Sequence, residues 1–151
     1  MSSNPCDNDL PPVQIGALLR WALHEIRDRI YSGVVEAGFD DVRPPHVTLF
    51  RWPGPDGRRP TEVGADVRIS KQRINDLLRD LERLGYLALE TDPTDSRARL
   101  IRLTERGHRL HQTAIGAHAA VEAEWAARVG HRRYEALRDT LIELMPVSHS
   151  G

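Results

Sequence analysis

From Val13 to about Val35 the apolar positions Ile15, Leu18, Leu19, Ala22, Leu23, Ile26 and Ile30 recur at three and four, which predicts an amphipathic helix. Gly38 follows as a stop signal. Pro44-Pro45 opens a short apolar helix through HVTLFRW, since prolines are tolerated in a first turn. The stretch PGPDGRRP, Pro53 to Pro60, reads as a loop. A short helix is predicted over Thr61–Val67, starting at Thr61 or Pro60, and Arg68-Ile69 make a tight turn. Ser70 then caps a second helix through about Leu84, with Ile74, Leu77, Leu78, Leu81 and Leu84 as its buried stripe and Gly85 as its stop. Two strand-like runs follow, Tyr86–Glu90 and Arg99–Leu103, joined by an eight-residue turn from Thr91 to Ala98. Thr104 caps a long helix whose stripe is Leu110, Ala114, Ala117, Val121 and Trp125, and Gly130 breaks it. A final helix runs from about Arg132, with Tyr134, Leu137, Leu141, Leu144 and Met145 inward, and ends before Pro146.

Helix, turn, helix and hairpin in that order are the layout of a winged helix. The expected fold is mainly α with a small β-hairpin wing, a winged helix-turn-helix flanked by N- and C-terminal helices. Residues 1–12 read as a disordered arm, and 13–151 as a single domain without internal repeats. Within it, 13–57 hold the N-terminal helices, 58–103 the winged helix and 104–145 the dimerisation helices. The two outer apolar stripes exceed what a winged helix alone covers. The first and last helices must bury each other or a second copy, and a homodimer is the economical solution.

Composition narrows the class. The chain has 151 residues, 40% of them hydrophobic and 28% charged, enough to bury a core. A single cysteine, Cys6, excludes a disulfide framework within one chain. No apolar run approaches the roughly 18 residues of a membrane span, and the N-terminus lacks the apolar segment of a secretory signal. A cytoplasmic protein without membrane partners is expected. The net charge of −1 hides a gradient, with −3 over residues 1–57, +3 over 58–109 and −1 over 110–151. A basic middle between acidic flanks suits a polyanion, although a G+C-rich coding bias toward Arg also accounts for twenty Arg against one Lys.

The second helix of a helix-turn-helix enters the major groove with its N-terminal residues against base edges. Here Gln72 and Arg73 are the first choice for base contact, with Asn75 second, and Ser70 and Lys71 are placed for phosphate. Solvation of an ordinary amphipathic helix is the competing reading of the same polar face. At the hairpin tip Arg97 suits a narrow minor groove, Asp95 is positioned to hold its guanidinium, and Arg99 is a further phosphate candidate. A surface ion pair with no further task is the alternative for Asp95 and Arg97.

The run TEVGADVRISKQRINDLLRDLERLGYLALETDPTDSRARLIRLTERG resembles the multiple-antibiotic-resistance-regulator (MarR) family of bacterial transcription factors. The resemblance rests on Leu81-Glu82, Gly85-Tyr86, Asp92-Pro93, Asp95, Arg97, and Leu103-Thr104 with Gly107, and the flanking helices extend it to nearly the whole chain. It implies an obligate homodimer on a pseudo-palindromic double-stranded DNA operator, acting as a repressor, with Arg97 in the minor groove. Half-sites would then lie about one helical turn, roughly 10 bp, apart. The chain departs from the pattern at Arg68, where the turn usually has Gly, at Asp76, where many members carry Arg, and at Ser96, which replaces a basic residue. Asp76 would repel phosphate unless it orients Arg73.

The resemblance also implies a small-molecule effector between the dimer helices and the DNA-binding part. Trp21, His24, His46 and Trp52 are the candidate lining residues, with simple packing as the alternative for the two tryptophans. Cys6, outside the first helix and beside Asp7 and Asp9, reads as non-functional. His108, His111, His118 and Glu122 share a face of the long helix, but His118 stands about 10 Å further along the axis, so no metal site and no cofactor are expected. A pH response of that histidine face stays open. Phosphate loops, His-Glu-x-x-His and Gly-x-Ser-x-Gly are absent, and the chain is not expected to be an enzyme. A winged helix used as a protein-interaction module is the alternative function.

Overall fold

The computed structural model describes residues 13–145, so the arm expected over residues 1–12, with Cys6, lies outside the described residues. The elements are α1 (Ile15–Glu36), α2 (Pro44–Leu49), α3 (Pro60–Val67), α4 (Lys71–Arg83), β1 (Leu87–Asp92), β2 (Asp95–Leu103), α5 (Glu105–Val129) and α6 (His131–Leu144). The expected mainly helical fold with one antiparallel hairpin is what the chain adopts.

Local chemistry places the boundaries. Pro60 opens α3 behind Arg59, whose backbone N–H donates to Glu62 Oε2 at 2.8 Å. Arg68 ends α3 in the left-handed region at φ 55° and ψ 50°, and among the described residues no other non-glycine has positive φ. Ser70 Oγ accepts from Arg73 N at 3.2 Å, and Thr104 Oγ1 accepts from Gly107 N at 3.1 Å, so both predicted caps form.

α3, α4 and the hairpin make a compact head. Ile74, Leu77, Leu78 and Leu81 of α4 bury against Val63, Tyr86, Leu87 and Ile101, and the core continues into Ile30 and Val34 of α1, Val47 and Leu49 of α2, and Leu110 and Ala114 of α5. Gly107 sits where α5 passes β1, and a Cβ there would overlap the Tyr86 carbonyl oxygen.

Four local expectations differ. α2 ends at Leu49, with Phe50 as its C-cap, so Arg51 and Trp52 leave the helix. The predicted eight-residue turn is a tight Pro93-Thr94 turn, with Thr91 opposite Arg99 and Asp92 opposite Asp95, which leaves Ser96, Arg97 and Ala98 as an unpaired bulge on β2. The Pro53–Pro60 loop is not free: Gly57 N donates to Ile101 O at 2.7 Å and Ile101 N to Arg58 O at 2.9 Å, so it covers the open edge of β2. α6 begins at His131 and packs on α5, yet Leu137, Leu144 and Met145, expected inward, are exposed. The first half of α1 behaves alike, with Ile15, Leu18 and Trp21 exposed. Helical period identifies an apolar stripe but not the partner that covers it.

Candidate nucleic-acid interface and adjoining cleft

Two clefts flank α4. The first, of about 310 Å³, lies between the N-terminal turn of α4, the start of α3 and the wing. Arg59, Lys71, Asn75, Arg97 and Arg99 line it, so helix and wing present their cations to one surface. Lys71, Arg97 and Arg99 take part in none of the ion pairs among the described residues. An unneutralised cluster of that kind favours an anion along the cleft. Ser70 and Gln72 are exposed beside it.

The wing is held to the head by a contact that local sequence does not announce. Arg59 donates to Asp92 Oδ2 from Nε at 2.8 Å and from Nη2 at 2.6 Å, and Asp92 Oδ1 accepts from Thr94 Oγ1 at 2.7 Å and Thr94 N at 2.8 Å. The Thr94 bonds, then Arg59, hold the buried Asp92 carboxyl at a pKa of about 2 despite its desolvation. Asp92-Pro93-Thr94 carries the signal of a side-chain-capped turn, whereas nothing local points to Arg59, 33 positions away.

Two expected side-chain roles change. Asp95 accepts from the backbone N of Arg97 at 3.0 Å rather than holding its guanidinium, so it shapes the bulge and leaves the side chain free. Asp76 lies 4.0 Å from Arg79 and does not orient Arg73. Arg73, two positions after Lys71, lines the other flank of the helix.

That flank opens on the second cleft, of about 390 Å³, between α1, α2 and α4. Ile30, Tyr31, Leu49, Val67 and Leu77 supply apolar walls, and Arg27, Arg51 and Arg73 supply charge. Burial, then Arg27, push the half-buried Arg51 guanidinium below its ordinary value. None of Trp21, His24, His46 and Trp52 lines this cleft. Trp21 and Trp52 are exposed, and His24 faces Asp28 at 3.2 Å. His46 is buried, where its Nδ1 accepts from Arg43 N at 3.1 Å and its Nε2 lies 3.5 Å from Asp80. Burial, then Arg43, lower its pKa against the pull of Asp80. Arg43 also donates to Asp80 at 2.6 Å, which ties α2 to the back of α4.

A third cluster joins the head to α5. Tyr86 Oη donates to Asp41 Oδ1, Arg106 Nη2 donates to Asp41 Oδ2 at 2.8 Å, and the Arg106 guanidinium lies 4.3 Å from the Tyr86 ring centroid. Partial burial opposes ionisation of Asp41, but these hydrogen bonds outweigh it and lower its pKa. The histidines of α5 have separate partners: His111 Nδ1 donates to Phe50 O at 2.7 Å and His118 lies 3.8 Å from Glu122, while His108 is exposed. No helix among the described residues is long and apolar enough to cross a membrane.

No family model and no curated protein sequence matches the chain. Solved structures do. A MarR-family transcriptional regulator from Rhodococcus sp. RHA1 is 23% identical, with a TM-score of 0.68 over 86% of this chain and 92% of that one. CouR from Rhodococcus jostii RHA1 bound to p-coumaroyl-CoA is 24% identical, with a TM-score of 0.70 over 87% and 92%. The repressor CouR bound to a 23-mer DNA duplex is 22% identical, with a TM-score of 0.66 over 87% and 92%. The chain thus has the fold of MarR-family transcriptional regulators over most of its length.

Proposed function

We propose that the protein is a MarR-family transcriptional regulator that binds operator DNA in a sequence-specific manner as a homodimer, acts as a repressor and responds to a small molecule. The observation that carries the reading is the cleft between α4 and the wing, where Lys71, Arg97 and Arg99 have no ion-pair partner among the described residues, in a chain of net charge −1. Gln72 is the first residue for base contact and Asn75 the second; Ser70, Lys71 and Arg99 serve phosphates, and Arg97, on a backbone shaped by Asp95, serves the minor groove. Arg73, toward the other cleft, reaches the DNA from the opposite flank. The exposed apolar residues of α1 and α6 support a second copy, and two-fold symmetry then sets half-sites about 10 bp apart. The cleft between α1, α2 and α4 is the place for an effector, adjoining both the helix that meets DNA and α1. The same reading makes the protein a non-catalytic, cytoplasmic regulator.

Fluorescence anisotropy on DNA from upstream of its own gene, against scrambled competitor at two salt concentrations, tests this. Competitor-resistant binding with a steep salt slope is expected, because counterion release scales with the phosphates neutralised. Arg97→Ala is expected to weaken operator binding by about 1–3 kcal/mol while leaving the dimer intact. Asp76, exposed on the outer side of α4, favours the second reading, a protein-interaction module. Equal, weak binding to both DNAs would select it.

A further inference from the structure

Ile74, Leu77, Leu78 and Leu81 form the buried stripe of α4. Successive residues of a helix lie about 100° apart, so the ridge directly opposite carries Gln72, Asp76, Arg79 and Arg83, all exposed. Lys71 and Asn75 lie on the flank toward the wing, and Arg73 on the flank toward α2. A helix seated in a major groove turns its outermost ridge to the base edges and its flanks to the phosphate walls. Asp76 is the acidic residue on that ridge.

The fold uses the other two carboxylates of α4 and leaves this one. Asp80 accepts from Arg43 at 2.6 Å and has His46 at 3.5 Å and Arg83 at 3.6 Å. Glu82 accepts from Leu89 N at 3.0 Å. Asp76 has Arg79 at 4.0 Å, too long for a hydrogen bond, and the two side chains are 57% and 76% exposed. Its oxygens therefore stay open toward whatever meets the front of the helix. Phosphate is repelled there, which is why Asp76 counts toward a protein partner, but base edges offer it donors. In the major groove these are the exocyclic amines of cytosine, N4, and adenine, N6. Adenine sets its N7 acceptor beside the amine, and guanine and thymine present acceptors, all of which repel a carboxylate. Cytosine is the matching base.

We propose that Asp76 is a specificity-determining residue: its carboxylate accepts a hydrogen bond from the N4 amine of one cytosine in each operator half-site, and its charge weakens binding to sequences without it. The inference rests on the DNA-binding reading above and adds a residue that this reading leaves outside its contacts. An anion at the groove floor lowers affinity for DNA in general and returns part of it at the matching base, so it raises discrimination rather than strength.

The test selects binding sites from a randomised duplex library with the full chain, with Asp76→Ala and with Asp76→Asn, thermal melting confirming that each variant is folded. The parent is expected to enrich a cytosine at one symmetric position of each half-site. Asp76→Ala should lose the preference at that position and keep the others. Asp76→Asn should move it to adenine, whose N6 and N7 an amide pairs bidentately. In fluorescence anisotropy, exchanging that C·G pair for T·A should weaken the parent about fivefold or more and Asp76→Ala less than about twofold. Asp76→Ala should also bind scrambled DNA more tightly than the parent does, since no carboxylate then opposes the phosphates. Preferences unchanged at every position in Asp76→Ala overturn the inference and leave the DNA-binding reading standing. Equal weakening on every sequence overturns it too, and makes Asp76 a support for Arg79. A parent that enriches no sequence overturns the DNA-binding reading and this inference with it.

Discussion

Ile74, Leu78, Leu81 and Ile101 in the head are at most 1% exposed, whereas Leu18, Trp21, Leu137 and Leu144 near the ends of the chain are 45, 56, 49 and 72% exposed. The α4 members of the first set and the residues of the second both follow helical period, while Ile101 comes from β2. The head closes over its stripe because α3, α4, the hairpin and the start of α5 are joined by short turns and bring their apolar sides together. α1 and α6 start and finish the described chain, and α6 packs on α5. The head is therefore complete as a single chain, while the ends are complete only with the second copy we propose. Burying a leucine stabilises by about 1.5–3 kcal/mol, so several such residues on one surface are a large driving force for association.

The largest effect should break the head. Gly107→Ala forces a methyl group into the Tyr86 carbonyl at the junction of β1 and α5, where backbone rather than a flexible side chain must give way. A loss of about 3 kcal/mol is expected, read as a melting temperature lower by roughly 10 °C. A melt within error of the parent would mean that the junction is looser than the packing indicates. Next, Leu137→Glu should leave the head folded and weaken self-association by about 2 kcal/mol. Analytical ultracentrifugation with matched circular dichroism checks this, and an unchanged dimer would place the interface away from α6.

A smaller effect separates two regions by pH. His46 has a lowered pKa, so its contribution to stability is whole above the ordinary value of 6.5 and erodes as pH falls below it. Asp92 is held at about 2, so the Arg59–Asp92 anchor is whole above the ordinary 3.8 and is lost only as pH falls through about 2. Between pH 7 and 5, amide exchange should accelerate around α2 and the back of α4 while the wing stays protected. Faster exchange in the wing over that range would contradict the anchor. The smallest effect sharpens the turn: Arg68→Gly removes a left-handed non-glycine residue and should stabilise by about 0.5–1 kcal/mol, measured by urea titration.

Much of this architecture is local and therefore readable from sequence. Ser70 and Thr104 cap because a hydroxyl reaches an N–H three residues on, whatever surrounds it, and Gly85 ends α4 at φ 80° because it lacks a Cβ. The cations of the wing and of α4 were legible as candidates from their places in a helix-turn-helix and hairpin. Their division between two clefts was not. Arg73 and Gln72 are neighbours in sequence, but what each meets depends on where α1, α2 and the wing lie around α4. Arg59 and Asp92 had no shared signal because their contact spans 33 positions and forms only when the wing folds back on α3. Periodicity and capping are properties of a few consecutive residues. Which stripe is covered, which acid is buried and which arginine is left without a partner follow from packing between segments distant in sequence, and tertiary structure alone decided them.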